Sequence, residues 1–366
     1  MPAPTRRDFL AGAATVLAAG LSAPTFADDA PAKPLGWAVV GIGKLSKGEI
    51  LPAIAKCQKS KLVAIVTGHP VENKPIIDRF GIPASSVYNY DNYDSMASNP
   101  DIDCVYIVLP NGMHAEYTIR ALKAGKNVLC EKPMANSSLE CQQMIDASNA
   151  TGKKLMVAYR IRREPYNMKA IELCQNGELG RPRLIVTGHG FHQNDPSVWR
   201  LNKKLAGGGA LVDVGIYGLN ATRYLTGEEP VSITAQQLDS PHDPRFTQVE
   251  EAITWTMKFP SGCMAANTTS YNVLSVNHQR VILEKGLIDM EPATGYGGIK
   301  MRVQRGHNSE EVQLTPVDQF QVMMDYFSDC VTNDTEPNTT GEEGLKDLRL
   351  IEAIYESART GKTVEV

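Results

Sequence analysis

The short apolar run Trp37-Ala38-Val39-Val40 passes directly into Gly41-Ile42-Gly43-Lys44-Leu45-Ser46. A buried-type strand that ends in Gly-x-Gly-x-x-small and opens a helix constrains this chain more than any other segment. It specifies a tight strand-to-helix turn with backbone amides free to face a pyrophosphate. Gly41 would permit the turn, Gly43 would let the backbone approach the phosphates, and the small Ser46 would let helix pack on strand. Lys44 lies within the turn, and the phosphates would sit at the positive helix end.

The pattern around this turn repeats. Buried-type runs at Trp37 to Val40, Leu62 to Val66, Cys104 to Leu109, Asn127 to Cys130 and Leu155 to Ala158 alternate with amphipathic stretches such as His114 to Lys123 and Ser138 to Ala150. That alternation predicts an α/β doubly wound parallel sheet, a Rossmann domain over 35–158. After Tyr159 the texture changes. A helical stretch at Tyr166 to Asn176 precedes alternating segments at Leu184 to His189, Ile233 to Leu238, Glu251 to Phe259 and Gly262 to Thr269, and Gly344 to Thr360 is again helical. The region 159–366 therefore predicts an α+β domain with an open, mainly antiparallel sheet for substrate binding and oligomerisation, its C-terminal helix packing back on the first domain.

Ahead of both lies Thr5-Arg6-Arg7-Asp8-Phe9-Leu10, then the apolar stretch Ala13 to Leu21 and a small-residue site at Thr25-Phe26-Ala27. This reads as a twin-arginine signal over 1–27, followed by a short arm at 28–34. It implies folded export through the twin-arginine (Tat) machinery to the periplasm. An ordinary secretory signal or a first transmembrane helix fits less well, since the stretch falls short of the roughly 20 residues that span a bilayer. No stable membrane insertion is expected. Free nicotinamide cofactor is scarce outside the cytoplasm, so an exported dehydrogenase is expected to carry its cofactor bound and to re-oxidise it with a second substrate.

Removing Arg6, Arg7 and Asp8 with the signal from 37 basic and 41 acidic side chains leaves 35 and 40, a formal charge of −5. Such a balance gives no basic surface for nucleic acid. The seven cysteines, Cys57, Cys104, Cys130, Cys141, Cys174, Cys263 and Cys330, show no metal-ligand spacing and read as buried small hydrophobes.

Cofactor choice is written after the second strand, where NAD enzymes usually carry an acid for the ribose 2′-hydroxyl. Here the run is Val66-Thr67-Gly68-His69, with Lys74 close behind. Thr67 and His69 can bond a 2′-phosphate and Lys74 can neutralise it, so NADP is favoured although Glu72 shares the loop. Further on, Cys130-Glu131-Lys132-Pro133 follows a buried strand at the carboxyl edge of the sheet, where doubly wound folds place ligands. Gly207-Gly208-Gly209-Ala210-Leu211-Val212-Asp213-Val214-Gly215-Ile216-Tyr217 lies some eighty residues later. On a helix beginning near Gly209, Asp213 and Tyr217 share a face. With Lys132 brought opposite, carboxylate, phenol and cation form a proton-relay group that needs no metal.

The nucleotide turn, Glu131-Lys132-Pro133 and Asp213-x-Gly215-x-Tyr217 together resemble the Gfo/Idh/MocA oxidoreductase family. Leu109-Pro110-Asn111-x-x-His114, Ala158-Tyr159-Arg160, Trp199-Arg200-Leu201 and the segment Asp289 to Tyr296 are similar to its glucose–fructose oxidoreductase branch, and to the aldose–aldose oxidoreductase kind within it. The resemblance implies that Lys132 binds the reacting hydroxyl, that Tyr217 is the acid/base group and that Asp213 is its partner. It places Gly41, Gly43, Lys44, Thr67, Gly68, His69, Lys74, Tyr90, Pro110, Asn111, His114, Glu131, Lys132, Arg160, Trp199 and Arg200 around tightly bound NADP(H). Lys132, Tyr159, Arg160, Asp213, Tyr217 and Tyr296 would surround the sugar. His189 and His192 lie near the expected mouth, where they could bind sugar or be structural.

The implied reaction is ping-pong: an aldose such as glucose is oxidised at C1 to an aldonolactone, and a second sugar is reduced to an alditol. A glycosidase using bound nicotinamide as a transient oxidant, and a non-catalytic sugar or cofactor sensor, are the alternatives. The branch's long N-terminal arm is absent, since only Asp28 to Pro34 separate the signal from the first strand, and a homodimer through the outer face of the second sheet is expected.

Overall fold

The computed structural model describes residues 33–366; the expected export signal and most of the short arm lie outside the described residues. The first sheet comprises six parallel strands, β1 (Leu35–Val40), β2 (Ser60–Val66), β3 (Val87–Tyr88), β4 (Cys104–Ile107), β5 (Asn127–Cys130) and β6 (Leu155–Val157). Their order is β3-β2-β1-β4-β5-β6, the doubly wound arrangement whose crevice opens beyond the carboxyl ends of β1 and β4. Residues 104–107 and 127–130 are wholly buried, as continuous apolar runs covered on both faces must be. β3 is too short to have announced itself in the sequence.

The second sheet has nine strands, β7 (Pro182–His192), β8 (Ser232–Leu238), β9 (Ala252–Lys258), β10 (Met264–Ser270), β11 (Asn272–Leu283), β12 (Gly286–Met290), β13 (Met301–Arg305), β14 (Asn308–Val312) and β15 (Val364–Glu365). It runs β14-β13-β12-β11-β7-β10-β9-β8-β15, antiparallel except for the parallel pair β7 and β10. Alternation sets its faces. In β9, Ile253, Trp255 and Met257 are buried while Thr254, Thr256 and Lys258 are exposed. The helix Ile216–Thr226 packs beside β7 and β10, and Ser357 of the helix Gly341–Thr360 accepts the Ala235 amide of β8 at 2.9 Å.

The two sheets share their last helices. Phe327 of the helix Gln319–Thr332 packs edge-on to Trp37 of β1 with ring centroids 5.9 Å apart, and the Trp37 indole donates to Ser328 Oγ at 3.1 Å. The helix Gly341–Thr360 carries buried Asp347, which accepts from Asn220 at 2.9 Å and pairs with Arg223 at 2.5 Å. The first of these helices returns to the central strand β1, 291 residues away in sequence, and the second packs against the edge strand β6. The site lies where the carboxyl ends of the parallel strands meet the covered face of the second sheet. No described helix is long and apolar enough to cross a membrane.

Candidate active site

The nucleotide turn has the geometry its spacing predicts. Gly41 adopts φ +91°, and a Cβ there would meet the Val108 carbonyl oxygen at 2.3 Å, so only glycine fits. Ser46 Oγ donates back to the Gly41 carbonyl at 2.5 Å and closes the turn. A Cβ at Gly43 would meet no atom within 4 Å, which leaves open the approach a pyrophosphate needs, and Lys44 beside it is exposed. The helix begins with a wide turn, Ser46–Ile50, before its regular turn Leu51–Ile54. These residues fit a dinucleotide.

The loop after β2 is organised around Thr67. Its hydroxyl accepts from the His69 amide at 3.0 Å and from Asn73 Nδ2 at 2.8 Å. Tyr90 lies 3.5 Å from where a Gly68 Cβ would stand, and is braced edge-on by Tyr117. The His69 imidazole is exposed, 3.7 Å from Glu72. Lys74 is exposed and pairs with Asp78 at 2.7 Å, so its charge is balanced locally rather than aimed at the loop.

Three expected contact residues are committed elsewhere. His114 is fully buried, 2.8 Å from the Pro133 carbonyl and 2.9 Å from the Leu109 carbonyl, so it ties two turns together rather than bordering cofactor. Burial pushes this imidazole below its ordinary value against the pull of both carbonyls. Tyr159 is also buried, and its hydroxyl is committed to buried Asp347, to which it donates at 2.5 Å. The chain leaves β6 at Val157 and turns at Tyr159 into the short 3-10 helix Arg160–Arg163, so Arg160 takes the site and Tyr159 the core. Asn111, after Pro110, donates to the Ala206 carbonyl at 2.8 Å and joins the first-sheet loop to the segment before the helix Ile216–Thr226.

Lys132, Asp213 and Tyr217 are brought together. The Lys132–Pro133 peptide is cis. The Lys132 ammonium donates to the Asp213 carbonyl at 2.5 Å, lies 3.6 Å from its carboxylate, and stands 4.6 Å from the Tyr217 ring centroid. Asp213 sits in a wide helical turn, Leu211–Gly215, that continues into Ile216–Thr226. Its carboxylate accepts from the Tyr271 hydroxyl at 2.9 Å and pairs with Arg200 Nε at 3.0 Å. Burial opposes its ionisation, but Arg200 and then Lys132 outweigh burial and hold the carboxyl below its usual range. Trp199 lies under Arg200, 4.6 Å from its guanidinium carbon. Behind Lys132, Glu131 is buried and accepts from the Tyr106 hydroxyl at 2.6 Å, so it holds the turn; burial pushes its carboxyl up.

Arg160 completes the group. It donates to the Tyr217 hydroxyl oxygen at 3.1 Å, to the Thr294 carbonyl at 2.7 Å and to Gln319. Tyr296, half exposed, stacks on the same guanidinium at 4.4 Å. Because Tyr217 accepts from Arg160, its own proton is unengaged and can be given to a substrate oxygen. Lys132, Arg160 and Arg200 outnumber Asp213 in charge, which favours an alkoxide developing between them. Tyr271 and Gln319 had no local sequence signal: Tyr271 follows directly on β10, and Gln319 opens the helix Gln319–Thr332, each far in sequence from the residues it meets. Among the described residues no group of three or more His, Cys, Asp or Glu is placed to hold a metal ion.

Family models match the chain in two parts: an oxidoreductase NAD-binding Rossmann fold over 35–159 and the oxidoreductase C-terminal alpha/beta domain over 171–366. The chain belongs to the Gfo/Idh/MocA oxidoreductase family and is an NAD(P)-dependent sugar oxidoreductase. Among its relatives, a D-xylose 1-dehydrogenase [NADP(+)] from Haloarcula marismortui is 30% identical over 341 residues, covering 91% of this chain and 93% of that protein. A D-glucoside 3-dehydrogenase from Escherichia coli is 26% identical, covering 91% and 98%. A crystal structure of aldose-aldose oxidoreductase from Caulobacter crescentus, complexed with glycerol, is 45% identical with TM-score 0.89, covering 91% of this chain and all of that one.

Proposed function

We propose that this enzyme transfers a hydride between two sugars, oxidising an aldose at C1 to an aldonolactone and reducing a second sugar to an alditol, with NADP(H) retained throughout. The observation that carries the reading is the convergence of Lys132, Arg160 and Tyr217 on one point, with Tyr217's proton free. Similarity to the Caulobacter aldose-aldose oxidoreductase supports the choice of sugars on both sides.

A nicotinamide nucleotide held at the Gly41–Ser46 turn and the Thr67 loop would supply the hydride acceptor for the first sugar and the hydride donor for the second. The chain's own groups manage the proton. Lys132 and Arg160 hold the C1 hydroxyl and its oxygen as charge develops; Tyr217, its own proton first released to water, takes the hydroxyl proton and then returns it to the acceptor's carbonyl oxygen, so the two half-reactions leave no net proton change. Two hydrogens leave the aldose and two reach the alditol, so the cycle balances without a further reagent. Asp213 anchors Lys132 through both its carbonyl and its carboxylate.

NADP over NAD rests on Thr67, Gly68 and His69 standing where an acid would repel the 2′-phosphate. Folded export to the periplasm explains why the cofactor would stay bound. A homodimer through the open face of the second sheet is supported by exposed Leu184, Val186 and Met264, interspersed with threonines on that face. The test is purification without added nucleotide, followed by denaturation and identification of what is released: NADP near one per chain is expected, and nucleotide-free protein would contradict retention.

A further inference from the structure

His189 is on β7, between Thr269 of β10 and Asn277 of β11, and faces the covered side of the sheet. It is 3% exposed, and among the described residues neither ring nitrogen has a hydrogen-bond partner. Buried polar groups are nearly always paired, and His114 shows the ordinary pattern, with a carbonyl at each nitrogen. The unpartnered ring sits against the reacting group: its centroid is 6.1 Å from that of Tyr217, tilted by 37°. Gly218, next in sequence, keeps this space clear, because a Cβ there would stand 3.3 Å from His189 Nδ1 and 2.2 Å from Thr187 Oγ1.

A proton-relay role fails on chemistry. Burial first, then His278 and Lys132, push the imidazole down to about 3, so it stays neutral at working pH and does not take a proton from Tyr217. A neutral imidazole offers one donor and one acceptor, and a sugar hydroxyl offers the same pair in reverse. We propose that His189 binds a secondary hydroxyl of the aldose close to the carbon that reacts at Lys132 and Tyr217, and so sets which aldoses are accepted. Both nitrogens are covered by protein. The hydroxyl therefore reaches them with a side-chain rotation at His189 or Tyr217. The inference rests on the aldose reading above.

The test uses the purified full enzyme with its nucleotide, comparing glucose with its 2-, 3-, 4- and 6-deoxy analogues as oxidised substrate. Wild type should lose about tenfold or more in kcat/KM at one deoxy position, since a site built to bond a hydroxyl rejects its absence. His189→Leu should lose that discrimination, to within about twofold, by slowing on glucose while the sensitive analogue is nearly unchanged. His189→Gln, which keeps a donor and an acceptor, should recover part of it, and serves the same comparison if the leucine variant does not fold. The pH profile should keep its shape in both. Equal losses on glucose and every analogue, or removal of an ionisation near neutral pH, would overturn the assignment. Wild type inactive on all aldoses would remove the aldose reading and this inference together, whereas active wild type with unchanged discrimination removes only the role of His189.

Discussion

Tyr217 accepts at its oxygen from Arg160 and has both the Lys132 ammonium and the Arg160 guanidinium against its ring, and neither replaces the phenol proton. Tyr217→Phe keeps the ring, the packing and the nucleotide turn while deleting that proton. Hydride transfer should fall by about 10²- to 10⁴-fold with bound nucleotide unchanged. Lactone formation at the wild-type rate would remove Tyr217 from the acid/base role. At Asp213 the prediction concerns stability. A carboxylate depressed in the folded state adds stability that is fully present above its unfolded value, about 3.9, and lost as pH falls through the lower folded value. Asp213→Asn should therefore melt below wild type between about pH 5 and about pH 8, and the gap should close as pH drops below about 4. A gap independent of pH would show that Arg200 and Lys132 do not act through the charge.

The helical segment Leu211–Thr226 that carries Asp213 and Tyr217 is held at its start from behind. Buried Glu250 accepts from the Gly209 amide at 2.8 Å, the Leu211 amide at 3.0 Å and the Tyr355 hydroxyl at 3.0 Å, two turns ahead of Tyr217. A cavity of ≈ 480 Å³ opens there, lined in part by Gly207, Gly208, Glu250 and Tyr355 and by none of the reacting side chains. Glu250→Ala leaves those amides unpaired and should cost about 2 kcal/mol or more, read as a lower Tm, together with a fall in kcat larger than any change in KM. Gly218→Ala should push the helix off Thr187 and cost about 1–3 kcal/mol, with kcat falling alongside. Wild-type melting and turnover in either variant would mean the helix is placed by other contacts. The local part of this site was legible from sequence: Gly41 from its strand-turn-helix setting, and Lys132, Asp213 and Tyr217 from motifs on single elements. The parts that were not legible depend on pairing. The parallel match of β7 with β10 puts Tyr271 on Asp213 and sets His189 near Tyr217, and no spacing in the sequence announces it. Tyr159 and His114 misled for a related reason, since a motif names a residue but not the side to which its chain turns.

At the scale of the whole molecule, export and cofactor retention are one argument. Residues 1–27 should direct a folded, nucleotide-loaded chain across the membrane. Replacing both Arg6 and Arg7 by lysine should leave active protein in the cytoplasm, and cell fractionation reads the outcome. Val186→Asp with Met264→Lys places charge on the open sheet face and should yield monomers by sedimentation; an unchanged dimer would locate the contact elsewhere. The central claim is that one bound nucleotide shuttles between two sugars. It is tested most directly by mixing nucleotide-stripped buffer, purified enzyme and glucose while following absorbance near 340 nm, then adding a second aldose. The account predicts a rise equal to the bound NADP, its decay on adding the acceptor, and lactone and alditol in equal amounts. No rise without added free NADP, or a rise that the second sugar does not reverse, would contradict it.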